Sequence, residues 1–300
     1  MTAAAGVDVV VIGGSYAGIA ASLQLARARR RVLVVDAGIR RNRFAAASHG
    51  VLGYDGRPPA AIVADARAQL LAYPTVAWID GMASEARQVA DGFAVTVDGV
   101  AYHGKRIVLA LGVSDELPAI PGLQERWGVS VFHCPYCHGY ELNQGPIGVL
   151  ATGSMSIHQA LLVADWGPTT LLTNGAFEPD EAQVSQLASR GVAIERGRVL
   201  RVAGQTADIE LGDGSILAFA GLFTVPTTRV SSPIAAQLGC AFDEGPSGSF
   251  IGTDPVKATS VAGVFACGDA ARAAGSVSLA IGDGAMAGAA THRSLFMPPV

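Results

Sequence analysis

Apolar positions along the chain come in two forms, near-continuous short runs and longer stretches repeating at helical spacing. Residues 7–12 (VDVVVI) are β-branched and apolar apart from Asp8, the pattern of a strand buried on both faces. Behind them Ala20, Leu23 and Ala26 lie on one stripe and predict a helix over about 17–28. Residues 32–35 predict a second strand, ending at Asp36. The same succession returns half a chain later. PIGVLA at 146–151 is followed by the turn Thr152-Gly153-Ser154, a helix through Trp166 and a strand over 169–173. Two βαβ starts, at residues 7 and 147, predict an α/β fold with two Rossmann-like nucleotide-binding domains.

Between and after them the pattern predicts a helix over 60–73 and short strands near 76–79, 93–97, 106–109, 199–203 and 207–211. A strand over 264–266 runs into Cys267-Gly268-Asp269, ahead of a small-residue helix over about 276–296. Pro118, Pro121 and Gly122 interrupt the pattern and read as a linker.

Composition narrows the possibilities. The 300 residues suggest two domains, and with half of them hydrophobic and 15% charged a large core is available. The net charge is −4, and no Lys/Arg cluster is interleaved with aromatics, so nucleic acid is not an expected partner. Arg27, Arg29, Arg30 and Arg31 fall at the end of the first predicted helix, where cations suit its C-terminus. Residues 1–14 lack a signal peptide's basic start, and no apolar run approaches the ~20 residues of a membrane helix. A cytoplasmic protein is expected.

The first turn, Gly13-Gly14-Ser15-Tyr16-Ala17-Gly18, has the dinucleotide fingerprint with Ser15 in place of the middle glycine. Asp36, followed by Ala37, lies at the spacing of an acid that accepts ribose hydroxyls. The stretch HCPYCHGYE at 133–141 fits three chemistries: a c-type haem attachment, a zinc site or a dithiol redox pair. Nothing directs the export that haem attachment normally accompanies. His133 and His138 each abut a cysteine, a spacing poorly suited to tetrahedral zinc. Context favours the redox pair, with His138 as the adjacent base and a helix start to favour the thiolate. Cys240 and Cys267 have no partner at that spacing and read as buried apolar residues.

Together the fingerprint, the LALG at 109–112, the C-x-x-C within the second nucleotide-type unit and the terminal FACGD resemble the low-molecular-weight thioredoxin reductases. The resemblance spans the whole chain. It implies an FAD-binding domain from residues 1–115 plus 244–300, and a central domain, 118–243, carrying the cysteine pair. It also implies a homodimer. The flavin would be held by the first turn, Asp36 and Ala37, by Ala110 and Gly112, by Gly268 and Asp269, and by Ser276 and Val277. Met82 and Ala83 would meet the adenine, and the segment from Arg43 to His49 would pass the flavin ring. CPYCHGYE is similar to the active-site run of FAD-dependent dithiol oxidases, which close disulfides in small natural products such as gliotoxin and holomycin.

A thioredoxin reductase also needs NADPH in its central domain. Here the second turn reads Ala151-x-Gly153-x-x-Ser156, and Asn174-Gly175-Ala176-Phe177-Glu178 stands where that family carries its basic cluster. No Arg or Lys occurs between Arg126 and Arg190, so a 2′-phosphate would lack charge-assisted partners unless Arg196, Arg198 or Arg201 reach it. The expected function is oxidation of a small dithiol: Cys134 exchanges with substrate, Cys137 communicates with FAD, and molecular oxygen takes the electrons to give hydrogen peroxide. Two alternatives remain: a disulfide reductase driven by NADPH or another donor, and a non-catalytic FAD-binding redox sensor or scaffold.

Overall fold

A computed structural model describes residues 6–297. The expected domain limits at residues 1 and 300, and the first residues of the segment expected to lack a signal peptide, lie outside that range. The chain forms two compact units, each from separated stretches. The outer unit takes the residues up to Arg43, Pro59–Ser114 and those from Thr228 on, and the central unit takes Phe44–Pro58 and Asp115–Thr227.

In the outer unit the strands are β1 (Val7–Ile12), β2 (Val32–Asp36), β3 (Val76–Asp80), β4 (Ala83–Val89), β5 (Gly92–Val97) and β6 (Val100–Leu109). Their order is β3-β2-β1-β6-β5-β4, with Val264–Ala266 also paired to β6. β1 runs parallel to β2 and β6, while β5 is antiparallel to β6 and to β4. Val9, Val10 and Val11 are fully buried, as a two-sided strand requires. Helix α1 (Tyr16–Arg27) packs against the C-terminal helix Val277–Ser294 with unusually close backbones. A Cβ on Gly284 would strike the carbonyl oxygen of Ala17, and one on Gly288 that of Ala21. Helix α2 (Pro59–Leu71) adds Ile62, Val63 and Leu70 to the core.

The central unit has five parallel strands in the order Ala193–Glu195, Thr169–Leu172, Ile147–Leu150, Gly221–Thr224 and Val131–Phe132. One face packs Ile157, Ala160 and Val163 of helix α4 (Met155–Val163), which follows the one-turn helix α3 (Pro135–His138). Val202, Ile209 and Leu211, from an antiparallel ribbon, cover Leu150, Leu172 and Leu222 on the other face.

The observed units shift the expected boundaries. Residues 228–243 belong to the outer unit because Ile234, Ala235 and Cys240 share a core with Val95 and Ile107. Residues 44–58 belong to the central unit, where Phe44 lies against Gly128. The expected linker is instead fastened down: Val202 N donates to Pro121 O at 2.9 Å, Arg126 Nη1 donates to Gly122 O at 3.0 Å, and Leu117 and Ile120 pack onto the central core.

Candidate active site

The first glycine turn is shaped by close backbone approach. Gly13 has φ +108°, and a Cβ there would meet the carbonyl oxygen of Ala110, which follows β6. A Cβ on Gly18 would meet the carbonyl oxygen of Gly13. Gly14 N donates to Asp36 Oδ1 at 3.1 Å, and Gly14 also lies under the Trp78 indole. Among the described residues Asp36 Oδ2 has no protein donor, so it is available to a ribose hydroxyl. Ser15 is the N-cap of α1 but makes no side-chain capping bond. Tyr16 OH accepts from Asn42 Nδ2 at 3.1 Å, and Asn42 Oδ1 is buried with no protein donor.

Other expected flavin residues lie at element ends. Ala37 is exposed just beyond β2, and Ala83 begins β4 buried beside exposed Met82. Gly112 has φ +64° with open space where a side chain would stand. Gly268 has φ +71°, and Asp269 is bonded by Arg41 Nη1 at 2.8 Å. Ser276 caps the C-terminal helix through Leu279 N at 3.2 Å, and Val277 is its first residue. Arg43 closes the first stretch of this unit and donates to Arg40 O at 2.9 Å.

In the central unit Cys134 and Cys137 are joined as a disulfide, with Cα atoms 5.4 Å apart. Cys134 is the N-cap of α3 and Pro135 its first residue, a position that tolerates a missing N–H. The helix has only four residues, so the expected dipole contribution to thiolate stability is small: few peptide units align. The turn is wedged in place by Trp166, against which a Cβ on Gly139 would clash and Tyr136 packs edge-on at 5.3 Å. His133 is exposed, and its carbonyl accepts from Gln159 Nε2 at 2.9 Å.

His138 stacks on Phe132, ring centroids 4.3 Å apart and planes within 15°. Both ring nitrogens are shielded from solvent and make no aligned hydrogen bond with protein. Burial lowers its pKa below the ordinary histidine value; Glu141 and, more weakly, the Cys134 backbone oppose this, and His49 adds to it. The direction favours the neutral imidazole at His138, next to Cys137 in the chain.

His49 was expected to pass the flavin with Arg43. It falls within the central unit, Nε2 3.4 Å from Glu141 Oε1 and Nδ1 3.6 Å from Asp55 Oδ1. Sequence reasoning missed this contact and Phe132, Trp78, Arg41 and Asn42. Only tertiary proximity marks them.

At the corner expected to lack basic residues, Asn174 and Gly175 line a cavity of about 610 Å³ together with Arg196 and Arg198. Parallel pairing of Thr169–Leu172 with Ala193–Glu195 brings these arginines there. Arg196 is held by Glu178 at 2.9 Å and Arg201 by Glu210 at 2.6 Å.

The sequence pattern of the pyridine nucleotide-disulphide oxidoreductases matches residues 7–284. The chain belongs to this family. Among its relatives, thioredoxin reductase TcpT of Claviceps purpurea is 32% identical over 88% of this chain and 86% of its own. An oxidoreductase from Agrobacterium tumefaciens superposes with a TM-score of 0.96 at 56% identity, covering 98% of this chain and all of that one. HlmI superposes at 0.91 with 37% identity, over 98% and 94% of the two chains. This disulphide oxidoreductase is thus a thioredoxin reductase-like flavoprotein that binds FAD. Its outer unit fits that cofactor: a glycine turn with no room for side chains, an aspartate oxygen without a donor, and a buried Asn42 oxygen open to a hydroxyl or N–H.

Proposed function

We propose that this flavoprotein oxidises a small-molecule dithiol to its intramolecular disulfide. The observation that carries this reading is the closed Cys134–Cys137 bond next to His138, an imidazole biased to its neutral form whose nitrogens make no aligned hydrogen bond with protein. A neutral imidazole accepts a proton from a thiol, and the thiolate is the attacking species.

A substrate thiolate attacks Cys134 Sγ, breaking the Cys134–Cys137 bond and releasing Cys137 as a thiolate. The second substrate thiol loses its proton and attacks the substrate sulfur of the mixed disulfide, releasing Cys134 and closing the product disulfide. Two electrons and two protons pass from substrate to the protein. The chemistry FAD supplies when bound is removal of those two electrons, with oxygen as acceptor and hydrogen peroxide as product. In the outer unit the first glycine turn, Asp36, Gly112, Asp269 and Ser276 would hold it. A homodimer in the cytoplasm belongs to the same reading.

The direction of electron flow rests on the corner beyond Thr169–Leu172. Glu178 stands there and engages Arg196, leaving little uncompensated positive charge for a 2′-phosphate. Arg198 in the same cavity favours a second reading, an NADPH-driven disulfide reductase. Anaerobic mixing separates the two. Bleaching of the flavin by dithiothreitol, followed by peroxide on admitting air, supports the oxidase. Bleaching by NADPH but not by the dithiol overturns it, and bleaching by neither favours a redox-inert scaffold.

A further inference from the structure

We propose that Arg41 is the charge-balancing residue of the FAD site, holding the Asp269 carboxylate so that an acid can stand beside the FAD diphosphate. Nothing in this role depends on the direction of electron flow. Arg41 Nη1 lies 2.8 Å from Asp269 Oδ2, and the two residues come from stretches 228 positions apart. Each has a chain neighbour against the start of α1. Asn42 Nδ2 donates to the hydroxyl of Tyr16, the first residue of that helix, at 3.1 Å. Gly268 packs so closely on Ala17, the second residue, that a Cβ there would come within 2.9 Å of the Ala17 Cβ. The ion pair therefore flanks the helix end that follows the glycine turn, where backbone N–H groups and the helix dipole suit a phosphate.

Two further atoms in the same segment point to a polar ligand. Arg40 Nε and Asn42 Oδ1 are shielded from solvent and make no hydrogen bond with protein. Buried donors and acceptors are rarely left unpaired, and a donor and an acceptor flanking Arg41 suit phosphate oxygens and ribityl hydroxyls. The acids are the electrostatic difficulty. Asp36 receives Gly14 N and Asp269 follows Gly268, while neither the glycine turn nor the first turn of α1 holds a basic residue. A diphosphate adds further negative charge at this end. A Cβ on Gly275 would strike Asp269 Oδ1, so the carboxylate is confined between that backbone and Arg41. With side chains 26% and 19% exposed, Arg41 and Asp269 are less screened than a surface pair, so the guanidinium offsets a repulsion that solvent does not.

The test measures FAD release from the flavin-loaded protein on dilution, followed by the fluorescence of free flavin. Arg41→Gln is expected to speed release about tenfold or more, since it leaves the Asp269 carboxylate unbalanced beside the diphosphate. Asp269→Asn is expected to release FAD no faster than wild type. It removes the acid, keeps an acceptor oxygen for a hydroxyl and leaves the Arg41 charge to the diphosphate. A merely structural ion pair behaves differently, because breaking it from either side would loosen the site. Acceleration below about threefold in Arg41→Gln, or above about threefold in Asp269→Asn, would overturn the proposal. Should Arg41→Gln fail to fold, Asp269→Asn decides by the same threshold. This readout needs no turnover, so it stands apart from the dithiol-bleaching experiment, whose failure would sink the oxidase reading alone.

Discussion

The His138 imidazole lies flat on the Phe132 ring, 4.3 Å between centroids. Stacking fixes the ring plane while both nitrogens make no aligned hydrogen bond with protein, as the proposed role of His138 as proton acceptor requires. His138→Gln should slow reduction of the flavin by dithiothreitol by about a hundredfold or more, the usual range for a lost proton acceptor. Stopped-flow bleaching under anaerobic conditions measures this, and a loss below threefold would remove His138 from the reaction.

The pH dependence has a defined sign. Burial lowers the His138 pKa in the folded protein, so the unfolded chain binds the proton more readily. Stability from this group is complete above the ordinary histidine pKa of ~6.5 and is lost as pH falls through the folded value. The neutral, proton-accepting form likewise persists below ~6.5, so the acid limb of the dithiol reaction should lie lower than for a solvent-exposed histidine. Urea titrations from pH 5 to 8 should show wild-type losing more stability on acidification than His138→Gln. Parallel losses would contradict the assignment.

Only two of the four cysteines should react in the reduced, native protein. Burial, with Asp283 adding to it, pushes the Cys267 thiol up to about 12, and burial also raises Cys240. Both are buried. Iodoacetamide followed by mass mapping should label Cys134 and Cys137 alone, and fast labelling of Cys267 would show the outer core to be open.

Gly18→Ala should cost about 1–3 kcal/mol or more from overpacking against the Gly13 carbonyl, with loss of bound flavin. Gly112→Ala meets no neighbour and should cost about 1–2 kcal/mol, through its positive φ alone. Thermal unfolding and retained flavin absorbance of the two variants provide the comparison. Full flavin retention in Gly18→Ala would separate the glycine turn from the cofactor.

Asp283 binds Lys257 Nζ and Arg272 Nη1, each at 3.0 Å, in a largely buried triad. Asp283→Ala leaves two cations without their anion and should destabilise the outer unit by about 3–5 kcal/mol, read by denaturant unfolding. A change below about 1 kcal/mol would mean that water already reaches the triad.

Both βαβ starts were legible because a strand buried on two faces leaves a continuous β-branched run, and the glycine turn and cysteine pair follow at fixed spacings. β4 was not legible: ASEARQV buries only Ala83 and Ala86, too little to form a periodic pattern. The excursion of 44–58 was hidden by Gly50, Gly53 and Gly56, whose positive φ values shape a loop with no repeating apolar face. His49 thus looked like a residue of the first domain until its contact with Glu141 placed it in the second. Arg196 and Arg198 reach Asn174 only because neighbouring parallel strands end together, a relationship that linear spacing does not encode.

The separated stretches of the two units impose an order on synthesis at the ribosome. Every residue of the central unit has been translated once Thr227 has emerged, whereas the outer unit still lacks Val264–Ala266 for its sheet and Val277–Ser294 for α1 to pack against. Domains fold as units as they are completed. The cysteine-bearing half can therefore close while its companion remains an open sheet, and flavin capture becomes one of the last events in making the protein.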